Sequence, residues 1–272
     1  MATIPKIIHS MWIDKVDYDN DRAPKKYRAY QAYHMAWRVN HPESTGWSFR
    51  FWNRRKVEKL WEHADLSKWK PLYYKISKII MKCDLSRYAI LYIYGGIYRD
   101  LDYISYQSFE PLIRDREILL CREPIEVTET FLYREKAPVG NCILGSRPGH
   151  PFWRFLLDQI LENYSEAKDV LQNTGPDMLT RCVDKYNLVN SKPLEVLPAS
   201  MLLPFHATEL TREYVQGMPV YGTSIISEGS NWQSEGFYNK IKWNIFIGVL
   251  IFIVIIFFMI QYGRKSKKCP KV

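Results

Sequence analysis

Residues 83–103 read CDLSRYAILYIYGGIYRDLDY, and the fold is read outward from them. Apolar residues at Ile76, Ile79, Ile80, Cys83 and Leu91 recur at roughly helical spacing. Asp84, Arg87 and Leu91 stand at i, i+3 and i+7, so the two charges share one helix face. Gly95 and Gly96 end the helix, because glycine accepts the positive φ that other residues avoid. Ile97 and Tyr98 then read as a short buried strand that delivers Asp100-Leu101-Asp102 at its end.

Two carboxylates one residue apart point the same way in an extended chain, where side chains repeat every second residue. Oxygens so placed suit a hard divalent cation that keeps positions open for water and phosphate oxygens. A diphosphate leaving group needs such a cation as its bond breaks. A lone Asp-x-Asp is most often a polar turn. Behind a helix with an aligned Asp84/Arg87 pair and a Gly-Gly break, the metal reading is the stronger one.

The stretch resembles the metal-dependent, retaining enzymes called glycosyltransferase family 32, whose pattern runs roughly D-x-x-R-x-x-x-L and then G-G-x-Y-x-D-x-D. Asp84, Arg87, Leu91, Gly95, Gly96, Tyr98, Asp100 and Asp102 supply it here. Arg99 departs from it, since relatives more often carry an apolar residue there, and is expected to tune phosphate or acceptor contacts. The resemblance implies a GT-A-type α/β fold and a nucleotide-sugar donor, GDP-mannose or a UDP-hexose. It also implies Mn²⁺ or Mg²⁺ held by Asp100 and Asp102, and transfer to a hydroxyl with retention. Arg87 would pair with phosphate or a sugar hydroxyl, and Asp84 would accept hydrogen bonds from sugar hydroxyls.

The start of the chain, with Ile4 to Trp12 as a first buried strand, carries a second block of likeness, I-P-K-I-I-H-x-x-W. Under the resemblance Trp12 stacks on or borders the base, with His9 near it. Asn141, at the start of a strand expected over Asn141 to Ser146 and followed by the run Pro148-Gly149-His150-Pro151-Phe152, would lie near donor sugar or acceptor. Glu228-Gly229-Ser230-Asn231-Trp232 resembles the segment that closes the site in relatives. There Ser230 would reach the metal or diphosphate and Trp232 would cover the leaving group. Glu228 is the candidate third metal ligand, one residue short of the spacing in the glucosylating toxin domains.

Elsewhere the chain alternates helix and strand. A helix is expected over Pro24 to Asn40 with Tyr27, Tyr30, His34 and Trp37 on one side, and a strand over Gly46 to Trp52. Further expectations are a helix over Arg54 to His63, extended chain over Ile104 to Pro111, and a strand over Ile118 to Arg122. A loop over 123–139, a helix to about Tyr164, a helix opened by Gly175-Pro176-Asp177, and a strand-like stretch from Leu194 to Phe205 complete the reading. This strand-helix alternation marks an α/β nucleotide-binding half.

The formal charge of +9 resides at one end. Lys240, Lys242, Arg264, Lys265, Lys267, Lys268 and Lys271 face no acid in residues 239–272, leaving 31 basic against 29 acidic residues elsewhere. No aromatic-interleaved basic stripe argues for nucleic acid. Five scattered cysteines, an odd number without a CxxC pair, exclude a zinc framework and a disulfide scaffold, and read as free thiols. From Ile245 to Ile260 sixteen residues carry no charge, and Trp243 to Tyr262 has the length of a bilayer-spanning helix with an aromatic at each interface.

The domains expected are therefore a catalytic domain over 1–238, a membrane helix with its flank over 239–262, and a basic tail over 263–272. The N-terminal residues lack a secretory signal, which argues for a cytosolic catalytic domain, whereas the basic tail argues for the reverse orientation. The acceptor would be a lipid-linked or glycan hydroxyl. Two other functions compete with transfer. A haloacid-dehalogenase-type phosphatase carries Thr or Val two residues after its Asp-x-Asp, near the N-terminus; here Ile104 stands there, mid-chain. A catalytically silent membrane adaptor that keeps the fold is the remaining alternative, and would be expected to lose one aspartate of the motif.

Overall fold

A computed structural model describes residues 3–13, 30–123, 137–202 and 220–224. All of these fall within one unit, Met1–Ile225. The sheet is built outward from β1 (Ile7–Met11), which is buried from its second residue onward. On one side lies β2 (Ser48–Trp52), an edge strand of alternating exposure; on the other lies β3 (Gly96–Arg99), buried throughout. Both pair parallel to β1, with His9 opposite Arg50 and Tyr98. β6 (Ile143–Ser146) then pairs antiparallel to β3, and β5 (Ile118–Leu119) antiparallel to β6, giving a mixed sheet in the order β2-β1-β3-β6-β5. A second ribbon joins β4 (Tyr103–Ser105) to β7 (Gly222–Ser224).

The chain leaves β1 in one direction to make β2 and returns past β1 to make β3. Open α/β sheets bind ligands in the crevice that such a reversal makes outside the strands' carboxyl ends, here those of β1 and β3. Trp12 follows one of these ends and Asp100 the other.

Helices cover both faces. α1 (Gln31–Asn40) buries Trp37, whose indole N–H donates to Tyr103 O at 2.9 Å. The Asn53 side chain caps α2 (Arg54–Leu60), and α3 (Lys70–Lys75) has Pro71 in its first turn. α4 (Ile79–Tyr94) is buried on almost every side from Met81 to Leu91, so it is a core helix and not the amphipathic kind. It packs against α6 (Pro151–Asn163) and α8 (Pro176–Val189). Short helices α5 (Glu110–Ile113), α7 (Val170–Asn173) and α9 (Ala199–Leu202) complete the set among the described residues. Ile8, Ile97 and Ile143 join one apolar cluster while Tyr98 and Leu144 join the other, as alternation across a sheet requires.

Gly95 (φ 63°) and Gly96 (φ 91°) make the turn between α4 and β3. A Cβ on Gly95 would lie 2.7 Å from Ser146 O, and one on Gly96 2.5 Å from Ile7 O. The pair thus does more than stop a helix: it lets β3 enter between β1 and β6.

Two expectations need correction. Leu194 to Phe205 is not a strand: Leu197 makes a single bridge to Cys121, and α9 begins two residues later, while 203–205 lie outside the described residues. Extended chain from Ile104 ends at Ser105, and Pro111 starts no strand because it sits in the first turn of α5, where its missing N–H has no partner to lose. Pro24 and Tyr27 lie outside the described residues, as do the loop over 124–136 and the span expected at Trp243 to Tyr262. Among the described residues no helix is long and apolar enough to cross a membrane.

Candidate active site

α4 carries Asp84 and Arg87 to the crevice from behind. Arg87 Nη2 lies 3.2 Å from Asp84 Oδ1, and Arg87 Nη1 donates to Asn141 O at 2.5 Å and reaches Asp100 Oδ1 at 3.3 Å. The guanidinium also lies over the Tyr98 ring, 4.9 Å from its centroid. Asp84 is saturated from within: Asn141 Nδ2 donates to Oδ1 at 3.0 Å and Thr174 Oγ1 to Oδ2 at 2.7 Å. Burial pushes the Asp84 carboxyl up to about 6, against the pull of Arg87 and these donors. For Arg87, burial opposes the charge, but Asp100 and its other neighbours outweigh it and raise its pKa.

Asp100 is the partner that faces outward. Its side chain is 31% exposed, against 4% for Asp84 and Arg87. The Tyr98 hydroxyl donates to Asp100 Oδ1 at 3.0 Å, and the Asp100 amide donates to Cys142 O at 2.8 Å. Asp102 is partly buried; that burial first, and the charge of Asp100 second, push its carboxyl up to about 7. The Asp-x-Asp is thus a pair of carboxylates with too little positive charge around the second. Among the described residues no group of three or more His, Cys, Asp or Glu could hold a metal ion. Such a pair fits a cation that takes one or two carboxylates and fills its other positions with phosphate oxygens and water.

The remaining residues divide clearly. Trp12 flanks the crevice; its amide donates to Trp52 O at 2.9 Å, and its buried indole Nε1 has no hydrogen-bond partner. His9 is fully buried and both ring nitrogens are used: Nε2–H donates to Gly95 O at 2.9 Å and Nδ1 accepts from Trp52 Nε1 at 3.1 Å. Those two partners fix the neutral tautomer, and burial lowers its pKa to about 3. His9 therefore ties β1 to the Gly-Gly turn and has no nitrogen left for a base. Tyr98 is likewise buried and meets a ligand only through Asp100. Glu228, Ser230 and Trp232 lie outside the described residues.

Two residues belong to the site that the sequence reading did not single out. Thr174 stands just before the Gly175-Pro176-Asp177 helix start, and its hydroxyl completes the Asp84 shell. Tyr88, one turn beyond Asp84 on α4, donates to Thr174 O at 2.7 Å. Spacing along the helix could have found Tyr88; the Thr174-Gly175-Pro176 run marks Thr174 but not its bond to Asp84. Arg99 is not at the ligand face at all: it is wholly buried beneath the turn. Cys83, Cys121, Cys142 and Cys182 are free thiols, as expected.

Residues 24–119 match the model of the glycosyltransferase sugar-binding region containing a DXD motif. Inositol phosphoceramide mannosyltransferase 1 of Schizosaccharomyces pombe is 29% identical over 209 residues, which cover 73% of this chain and 57% of that protein. The initiation-specific alpha-1,6-mannosyltransferase of Candida albicans is 25% identical over 213 residues, 67% of this chain and 53% of that protein. An uncharacterized glycosyltransferase of Acanthamoeba polyphaga mimivirus is 25% identical over 187 residues, 69% of this chain and 67% of that protein. The chain spans little more than half the length of the two mannosyltransferases. With Asp100 and Asp102 inside the matched region and the Asp84–Arg87 pair behind them, the chain is similar to the DXD-containing glycosyltransferases.

Proposed function

We propose that this protein is a retaining, metal-dependent hexosyltransferase of GT-A type that moves mannose from a nucleotide-diphosphate donor, GDP-mannose first, onto a hydroxyl of a lipid-linked or glycan acceptor. The observation that carries the reading is the Asp100/Asp102 pair at the carboxyl end of β3, at the reversal of strand order, with Asp102 held up to about 7. Mannose rests on the names of the fungal relatives, and an inositol-phosphate head group is the first acceptor to try for the same reason.

Asp100 and Asp102 would hold Mn²⁺ or Mg²⁺, which when bound neutralises the diphosphate and stabilises it as a leaving group. Trp12 would stack on the base and offer its unpartnered indole N–H to it or to the ribose. Asn141 would meet the sugar from the rim. Asp84 and Arg87 would act from one layer back, fixing Asn141 and Asp100 in a single orientation, which is how a positioned site lowers a barrier. Glu228, Ser230 and Trp232 would close the site over the diphosphate. The stretch from Trp243 to Tyr262 would anchor the 1–238 catalytic domain beside a lipid acceptor, on the cytosolic side.

The full-length protein in detergent, given Mn²⁺ and a panel of GDP- and UDP-sugars, should release free nucleotide from GDP-mannose. Asp102→Asn should lose at least ~100-fold of that rate, the scale of a removed charge-stabilising contact. Silence across the panel, with no metal-dependent nucleotide binding, would leave the silent adaptor instead.

A further inference from the structure

Arg99 has 0% of its surface exposed and is among the largest fully buried side chains of the described residues. Its position in β3 turns it to the face opposite Tyr98, away from the crevice. There Nη1 donates to Asp100 O at 3.4 Å and to Leu101 O at 3.3 Å, while Nη2 lies 2.8 Å from His34 Nδ1. The guanidinium carbon stands 5.8 Å from the centroid of the Trp37 ring. Trp37 in turn donates its indole N–H to Tyr103 O.

The carbonyls of Asp100, Leu101 and Tyr103 are therefore all held from inside by two side chains that α1 steadies. Tyr103 N closes the turn on Asp100 O at 3.0 Å, and Asp100 N is fixed to Cys142 O. Peptide planes held in this way fix the directions of the two Cα–Cβ bonds, and hence where the Asp100 and Asp102 oxygens point. Burying a guanidinium is costly, and apolar residues of similar size fill such a place at least as well where only packing is required.

We propose that Arg99 is a positioning residue for the cation: its fork, braced by His34 and Trp37, sets the Asp100–Asp102 turn so that both carboxylates converge on one ion. The inference rests on the transferase reading above. It makes α1 part of the metal site although no residue of α1 meets the ion. Because Arg99 acts through backbone carbonyls, its loss should show in cation affinity and not in the affinity of the base for its pocket.

The test measures Mn²⁺ binding by full-length protein in the presence of GDP, from the loss of the free-ion resonance signal, alongside kcat and the KM for Mn²⁺. Arg99→Met should weaken Mn²⁺ binding about tenfold or more, the scale seen when a group behind a metal ligand is lost. Its kcat at saturating Mn²⁺ and its affinity for GDP should change by less than about threefold. Arg99→Lys, which restores one donor and the charge, should recover part of the affinity. His34→Leu, which frees one arm of the fork, should weaken binding in the same sense by less. Wild-type Mn²⁺ affinity in Arg99→Met would overturn the proposal, as would a fall in kcat with an unchanged KM for Mn²⁺. If Arg99→Met fails to fold, unchanged affinity in both Arg99→Lys and His34→Leu overturns it equally. A wild-type protein that binds no Mn²⁺ with GDP would overturn this inference and the transferase reading together, whereas normal wild-type binding with indifferent variants would overturn this inference alone.

Discussion

Thr174 Oγ1 donates to Asp84 Oδ2 at 2.7 Å, between two buried groups ninety residues apart in the chain. Thr174→Val keeps the shape and removes the donor, leaving a buried carboxylate oxygen short of a partner. The expected loss is about 1–3 kcal/mol of stability. It is read from the denaturation midpoint at constant slope, and Thr174→Ser should keep most of it. Equal midpoints in wild type and Thr174→Val would show that the bond contributes nothing.

Gly96→Ala places a methyl group 2.5 Å from Ile7 O, on a residue with φ 91°. Strain and overlap together should cost about 3 kcal/mol or more, a fall in Tm of roughly 10 °C for a domain of this size. A calorimetric scan decides it. An unshifted transition would mean that β1 and β3 separate freely, against the pairing described.

Tyr98→Phe removes the hydroxyl that donates to Asp100 Oδ1. The ring and its contact with Arg87 remain, so stability should fall by only about 1 kcal/mol. Affinity for Mn²⁺ in the presence of GDP should fall roughly tenfold, because the ligand loses the partner that orients it. Titration of Mn²⁺ checks the second effect and urea the first, and the two should separate.

Acid should weaken the fold through its buried imidazoles. His41 donates Nδ1–H to Trp37 O and accepts from Phe109 N at Nε2, and burial lowers it to about 4; His9 is lowered to about 3. A base depressed in the folded state stays neutral there while the unfolded chain takes up a proton. Stability is therefore full above the ordinary value near 6.5, falls as pH drops below it, and levels off below the folded pKa. For His41 the whole loss is on the order of 3 kcal/mol. His34 and His150 act in the same sense, both lowered to about 4 by burial first. Asp84 and Asp102, held upward, act with opposite sign, but four imidazoles against two carboxyls leave a net loss between pH 6.5 and 4. Urea midpoints across that range test it. In His41→Asn the slope should be shallower by about 1.4 kcal/mol per pH unit, and an unaltered slope would remove His41 from the account.

Much of this site is legible in residues 83–103, because helix period, glycine break and strand alternation are local rules and meet there. The charges on α4 share a face as their spacing requires, and Asp100 stands where the strand ends. What sequence could not supply is depth. An i, i+3 pair reads the same on an exposed helix as on one packed on every side, so Asp84 and Arg87 read as groups facing a ligand. His9 sits in a motif yet spends both nitrogens on Gly95 and Trp52, a fact set by pairing across 43 and 86 residues. The stretch after Leu194 has strand-like apolar residues, but among the described residues its one bridge is Leu197 to Cys121, so the local pattern met no partner there to realise it.

The burial of α4 on every side carries a consequence for synthesis. Its sequence leaves the ribosome well before α6 and α8, the helices that cover it, and ninety residues ahead of Thr174. At about 5–20 residues per second this interval is on the order of ten seconds. Throughout it the nascent chain displays an apolar helix with an acid and a base at its middle and nowhere to bury them. A chaperone that holds this segment until residue 189 emerges would raise yield more than one acting on the finished chain.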